Sequence, residues 1–316
     1  MTMTGKWKHT DQARRRLLQG TAILAAAGLA PWSLRAIAAG KQAMIKRTIP
    51  ATGEAMPVIG LGTSDEFSVR GEEGLGALAE VLRQFRALGG TLVDTAPAYG
   101  NAEEVIGRLL ADLGFADDLF IATKVRTRGT QAGLAQMERS EALLGKSPLD
   151  LLQVHSLVDV DTQLENLRRW QDQDRVRYIG ITHSRTSAFD QLERLMKREK
   201  LDFVQLNYSF LEPDAEARLL PLAADRDIAV MVNRPYLNGS LFRRVKGREL
   251  PPWTAEFDCQ SWAQLSLKYI LANEAVTCVI PATSNPKHLV DNMGAGTGAL
   301  PDRSALERIR ALADTL

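Results

Sequence analysis

Residues 151–155 read Leu151-Leu152-Gln153-Val154-His155, an apolar run too short for a helix that ends on a polar side chain. Runs of the same kind recur on both sides of it. Upstream lie Phe120-Ile121-Ala122-Thr123, Thr91-Leu92-Val93-Asp94 and Val58-Ile59-Gly60-Leu61-Gly62. Downstream lie Tyr178-Ile179-Gly180-Ile181, Phe203-Val204-Gln205-Leu206, Ile228-Ala229-Val230-Met231-Val232 and Val276-Thr277-Cys278-Val279-Ile280. Unbroken runs rich in Val, Ile and Leu suit parallel strands buried on both faces. From Thr91 to Ile228 their starts are about 25 to 31 residues apart, room for one strand and one helix each.

Helical spacing fills the gaps. Leu75, Leu78, Leu82 and Phe85 lie three or four apart ahead of Gly89-Gly90; Leu164, Leu167 and Trp170 mark another helix, and Leu192, Leu195 and Met196 a further one. Asn101 followed by Glu104 has the form of a capping box. Eight such units predict an α/β fold, a (β/α)8 barrel. Ile45 to Met56, broken by Ala51-Thr52-Gly53, predicts a short hairpin that plugs the bottom of the barrel. A doubly wound open sheet competes, but no early strand is followed by a G-x-G-x-x-G turn. The gap between the last two strands, containing Leu237 to Phe257, is long enough to imply a functional or partly structured loop.

The 316-residue chain is 45% apolar and 24% charged, which argues against disorder and collagen. Two cysteines, Cys259 and Cys278, are too few for a structural zinc site or a disulfide framework. At the front, Lys6, Lys8 and Arg14-Arg15-Arg16 precede a weakly apolar run from Leu17 to Ala30, shorter than the roughly 20 residues a spanning helix needs. Ala36-Ile37-Ala38 supplies a small-x-small cleavage pattern, so residues 1–38 are expected to be an export signal and residues 39–316 one barrel domain. Ala13-Arg14-Arg15-Arg16-Leu17-Leu18-Gln19 resembles a twin-arginine signal, which implies the twin-arginine export machinery as partner and a periplasmic destination, with Sec export as the alternative. Cleavage removes six of the 39 basic and one of the 38 acidic residues, leaving 33 and 37 and a formal charge of −4. Such a chain has no reason to bind nucleic acid and keeps no membrane span.

A (β/α)8 barrel carries its chemistry at the carboxyl ends of its strands. There the sequence places Asp94 after strand two, Tyr99 five residues on, Lys124 after strand three and His155 after strand four. Tyrosine, with an ordinary pKa near 10, is too weak an acid for efficient proton delivery at neutral pH. A neighbouring ammonium favours tyrosinate; three units of lowering would need about 4 kcal/mol. Asp94 would hold Lys124 in place and charged, and a histidine opposite would donate to a carbonyl oxygen. The four form an expected proton-delivery site for an oxygen that gains negative charge.

Gly60-Leu61-Gly62-Thr63, Val93-Asp94-Thr95-Ala96-Pro97-Ala98-Tyr99-Gly100, Thr123-Lys124 and Gln153-Val154-His155 resemble signature segments of the aldo-keto reductase superfamily. The likeness continues through Tyr178-Ile179-Gly180-Ile181-Thr182, Gln205-Leu206-Asn207-Tyr208-Ser209 and Ile280-Pro281-Ala282-Thr283-Ser284-Asn285-Pro286, in family order. It implies NADPH-dependent reduction of a small aldehyde or ketone, NADH being possible, with Tyr99 as general acid, Lys124 and Asp94 tuning it, and His155 positioning the carbonyl. Gly62 and Thr63 are implied near the nicotinamide ribose, and Thr182, His183 and Gln205 at its carboxamide. Asn233 stands where many members stack a tyrosine, followed by Arg234 as added positive charge. Thr283, Ser284 and His288 are implied near the 2′-phosphate, and Asp291 and Asn292 near adenine. No metal is expected: a barrel hydrolase using Asp94, His155 and His183 would need more ligands than the rim offers. The other function considered is an exported non-catalytic dinucleotide-binding or sensor module.

Overall fold

The computed structural model describes residues 43–69, 71, 72 and 74–316. The expected export segment, 1–38, with Arg14-Arg15-Arg16 and Ala36-Ile37-Ala38, lies outside the described residues. A hairpin of β1 (Lys46–Thr48) and β2 (Ala55–Pro57) opens the described chain. Eight strands follow, β3 (Leu61–Gly62), β4 (Leu92–Asp94), β5 (Phe120–Val125), β6 (Leu149–His155), β7 (Val176–Thr182), β8 (Phe203–Asn207), β9 (Ala229–Asn233) and β10 (Val276–Val279). Between and after them run α1 (Leu75–Ala87), α2 (Ala102–Leu113), α3 (Thr130–Leu144), α4 (Val160–Asp172), α5 (Phe189–Arg198), α6 (Leu219–Asp225), α7 (Ser240–Arg244), α8 (Trp262–Leu271), α9 (Pro286–Gly294) and α10 (Arg303–Ala313).

Strands β3 to β10 pair in chain order, every pair parallel. Parallel bridges Ile59–Val279 and Gly62–Ala282 join the first strand to the last, and Val279 N donates to Val58 O at 2.9 Å. The sheet therefore closes as a (β/α)8 barrel, each of the eight apolar runs supplying one strand or its edge. Closure explains Gly62: a Cβ there would meet the Ile280 carbonyl oxygen at 2.7 Å.

Side chains alternate between the barrel axis and the helices. Inward at the amino end are Leu92, Phe120, Leu151, Tyr178, Phe203 and Met231, joined by Ile49 and Met56 of the hairpin, all buried. Phe120 stacks on Tyr178 with ring centroids 5.8 Å apart, and Tyr178 meets Phe203 edge-on at 5.5 Å. The Tyr178 hydroxyl lies 2.7 Å from both Thr52 Oγ1 and Glu54 Oε2, so its polar end is satisfied by the turn of the hairpin. The hairpin is the plug that the sequence predicted. Arg47 fastens it, donating to the carbonyls of Leu271, Asn273 and Val276.

One local expectation changes and another holds. Asn101 sits at the N-cap of α2 but makes no capping bond; it donates to Val69 O at 2.7 Å and accepts from Ser68 Oγ at 3.1 Å, tying down the β3–α1 loop instead. The 237–257 stretch is partly helical, with α7 and a 3-10 turn over Pro252–Phe257. Both cysteines are free and buried, Cys278 inside the barrel. Among the described residues no helix is long and apolar enough to cross a membrane.

Candidate active site

Above the apolar layers the inward positions turn polar. Register sets them level: Lys124 pairs with Gln153, His155 with Thr182, Thr182 with Gln205, and Asn207 with Asn233. Lys124 and Asp94 are almost wholly buried, with Lys124 Nζ 2.7 Å from Asp94 Oδ2 and 2.8 Å from Thr95 O. Gln205 Nε2 donates to the other Asp94 oxygen at 2.9 Å and to Gln153 Oε1 at 3.1 Å. Thr63 Oγ1 donates to Asp94 O at 2.9 Å. Such a pair is stable in a dry interior because each charge has further hydrogen-bonding partners.

Tyr99 follows β4 by five residues, and Lys124 Nζ lies 5.0 Å from its ring centroid. The His155 ring meets Tyr99 edge-on, centroids 5.9 Å apart. Burial opposes the charge on Lys124, but Asp94 and Tyr99 outweigh it and hold the ammonium's pKa up. Tyr99 departs from expectation: burial pushes its pKa up, and the lowering by Lys124 does not reverse that because the Asp94 charge adds to the rise. Its hydroxyl is therefore firmly protonated at neutral pH. His155 is held down to about 3 by burial, with Lys124, Arg126 and His183 adding to the effect, so its imidazole is neutral.

Across β7 to β9, Gln205 Oε1 accepts from Thr182 Oγ1 at 3.0 Å and from Asn233 Nδ2 at 3.3 Å. Buried polar atoms without a partner among the described residues gather here: Gln153 Nε2, His155 Nδ1, Asn207 Oδ1 and Asn233 Oδ1. Orphaned groups of this kind are costly unless something binds them. Asn233 Oδ1 is an acceptor suited to the N–H of a carboxamide, so a nicotinamide fits this row of amides.

The outer positions are more mixed. Backbone N–H of His183 bonds Gln205 O at 3.1 Å, while its Nδ1 accepts from Arg185 N at 3.2 Å. Arg234 donates to Ser184 O at 2.6 Å and to Asn238 Oδ1 at 3.2 Å, linking two rim loops. Thr283 Oγ1 accepts from Asn285 N at 3.1 Å, and Asn285 caps α9 through Lys287 N at 2.9 Å. Lys287 and His288 are exposed on the first turn of that helix, where an anion is favoured. Ser284 donates its N–H to Glu66 Oε2 at 2.9 Å and its hydroxyl to the same oxygen. Asp291 and Asn292 are engaged internally: Asp291 accepts from Ser261 Oγ at 2.7 Å and Gln264 Nε2 at 2.8 Å, and Asn292 Oδ1 accepts from Tyr236 OH at 2.6 Å.

Three site neighbours were given no role by the sequence. Gln153 is inward by the strand period from Leu151, a signal present in the quoted run. Glu66 and Arg126 belong to loops, where no periodicity marks which way a side chain turns.

The Aldo/keto reductase family profile matches residues 58–314. Among curated proteins, the aldo-keto reductase YhdN of Bacillus subtilis is 29% identical over 195 residues, which span 57% of this chain and 56% of that protein. The aldo-keto reductase str7 of Strobilurus tenacellus is 26% identical over 275 residues, 74% of this chain and 80% of its own length. In three dimensions, an aldo-keto reductase of Klebsiella pneumoniae solved with NADPH superposes with a TM-score of 0.72 at 22% identity, covering 85% of this chain and 96% of that one.

Proposed function

The chain belongs to the aldo/keto reductase family, and from that premise we propose that it reduces an aldehyde or ketone to the alcohol with NADPH, NADH being the second choice. The observation that carries this reading is the buried Lys124–Asp94 pair set against Tyr99, with a neutral His155 at the edge of the same ring. When bound, the reduced nicotinamide supplies a hydride for the carbonyl carbon. Tyr99 gives its proton to the carbonyl oxygen. Its raised pKa keeps the proton in place until that oxygen gains charge, and the Lys124 ammonium then stabilises the tyrosinate left behind. Asp94 fixes Lys124 and keeps it charged. His155, neutral, donates a hydrogen bond to the same oxygen and orients it.

Thr182, Gln205 and Asn233 would hold the carboxamide, with the unpartnered Asn233 Oδ1 accepting its N–H. Gly62 and Thr63 would lie along the ribose, and Ser284, Lys287 and His288 would face the adenosine phosphate. The Klebsiella neighbour solved with NADPH supports this choice of cofactor. Coenzyme oxidation followed at 340 nm across aldehydes and ketones tests the reading. Tight coenzyme binding with no turnover of any carbonyl would replace it with a dinucleotide-binding role.

The export reading belongs with this proposal. A barrel that closes around a dinucleotide is better exported folded, with its cofactor, which favours the twin-arginine route and a periplasmic location. Replacing Arg14, Arg15 and Arg16 by lysine is expected to leave uncleaved protein in the cytoplasm. Unchanged periplasmic accumulation would point to Sec export.

A further inference from the structure

We propose that the barrel mouth selects carbonyl substrates that also carry an anionic group, and that Arg126 is the residue that holds this group. The proposal rests on the carbonyl-reductase reading above and narrows its substrate class.

Arg126 is placed by strand geometry. Phe120, Ala122 and Lys124 are the inward residues of β5, so the period of two brings Arg126 to the same side, one layer nearer the rim. Lys124 pairs with Gln153 and Val125 with Val154, which sets Arg126 level with His155 on the neighbouring strand. Gln136 Oε1 accepts from the Arg126 backbone N–H at 2.6 Å, fixing the chain where it leaves β5. The charge of Arg126 reaches His155 and helps keep that imidazole neutral.

The guanidinium itself has no ion-pair or hydrogen-bond partner among the described residues, and the residue is exposed. Arg185 is also exposed, and its charge falls on His183; the remaining neighbours differ. Arg234 is tied to Ser184 O and Asn238 Oδ1, and Arg128 lies near the Asp159 carboxylate. Lys124, one layer below, is neutralised by Asp94. Arg126 is thus a fork of unoccupied donors beside the group expected to grip the substrate oxygen.

A negative charge lies two strands away, in the loop after β3. Asp65, in the β3–α1 loop with φ of 62°, acts on Tyr99 and raises its pKa. Glu66 beside it is engaged by Ser284. With its carbonyl oxygen between Tyr99 and His155, a substrate bearing a carboxylate is repelled by Asp65 and attracted by Arg126. One orientation is favoured and a neutral substrate gains nothing from it.

Matched pairs test this: ω-oxoalkanoates with about two to five carbons, and their methyl esters, assayed with saturating coenzyme. The oxoacid is expected to exceed its ester in kcat/KM by at least about tenfold at the best chain length, and about 0.5 M salt should shrink the ratio. Arg126→Gln should bring the acid-to-ester ratio close to one, mostly through KM for the acid. Arg126→Lys, which keeps the charge but not the fork, should retain part of it. An acid-to-ester ratio near one in the unaltered protein, or equal losses for acid and ester in Arg126→Gln, would overturn the proposal. Turnover of the esters without preference for the acids defeats this inference alone; no turnover of acids or esters while other aldehydes or ketones are reduced defeats it too, and only coenzyme binding with no turnover of any carbonyl defeats the reductase reading beneath it.

Discussion

Along β5, Phe120 and Ala122 face the barrel axis beneath Lys124; along β6, Leu151 lies beneath Gln153 and His155; along β8, Phe203 lies beneath Gln205. The same strands and the same inward periodicity build both ends. At the amino end the positions are apolar, roofed by Ile49 and Met56, and the Tyr178 hydroxyl has two partners. At the carboxyl end they are charged or amide-bearing, and Gln153 Nε2, His155 Nδ1 and Asn233 Oδ1 have none among the described residues. Each such atom costs about 1–3 kcal/mol relative to a satisfied one. The amino end is arranged for stability, and the carboxyl end keeps interactions in reserve for a ligand.

The largest expected effect breaks chemistry at the carboxyl end without touching the fold. Tyr99→Phe keeps the ring and removes the proton, so kcat for carbonyl reduction should fall by about 10²–10⁴ while coenzyme affinity stays close to that of the unaltered protein. Stopped-flow reduction at the original rate would refute the assigned role.

The next pair sets the two ends against each other. Phe203→Ala, at the amino end, should cost about 3–5 kcal/mol in denaturant unfolding, with kcat little altered. Lys124→Met should cost a similar amount, about 3–5 kcal/mol, by leaving Asp94 buried without its partner, and should also remove activity. If Lys124→Met proved neutral in stability, the ion pair would not be a fixed part of the interior.

At neutral pH a further effect is silent, and it separates the ends only as the solution is acidified. His155 has a folded pKa near 3 against an ordinary 6.5, so it destabilises the fold only where the unfolded chain would take up the proton. Its contribution is complete above about pH 6.5 and is lost as pH falls toward 3, at up to about 1.4 kcal/mol per unit. His155→Gln should flatten stability against pH in that window, whereas Phe203→Ala should shift the whole curve in parallel. Identical slopes for His155→Gln and the unaltered protein would show that the imidazole titrates freely.

The smallest effect concerns the rim. Glu66 holds both donors of Ser284, which a 2′-phosphate would also seek. Glu66→Gln should raise the NADPH-to-NADH affinity ratio by about three- to tenfold, up to about 1.4 kcal/mol. Coenzyme titrations in which both affinities shift equally would remove Glu66 from discrimination.

Legibility followed the same division. Strand positions and the plugging hairpin were readable because burial imposes a pattern on consecutive residues. Asp94, Tyr99, Lys124 and His155 were readable as a group because strand ends in a barrel converge on one rim. The outer residues were less so. Asp291 and Asn292 stand in the expected segment, yet Ser261, Gln264 and Tyr236 bind their side chains. Asn101 has the residue type of a cap, but Val69 and Ser68 take its amide.

The sequence by itself determined the eight strands, their order and the residue types at the barrel mouth, since local periodicity and short-range spacing carry that information. Only the tertiary structure decided which polar groups pair with each other and which stay free. Desolvation and hydrogen-bond competition depend on neighbours far apart in the chain. That is why Tyr99 remains protonated beside an ammonium, Glu66 reaches Ser284 across 218 positions, and the Arg126 guanidinium is left without a partner among the described residues.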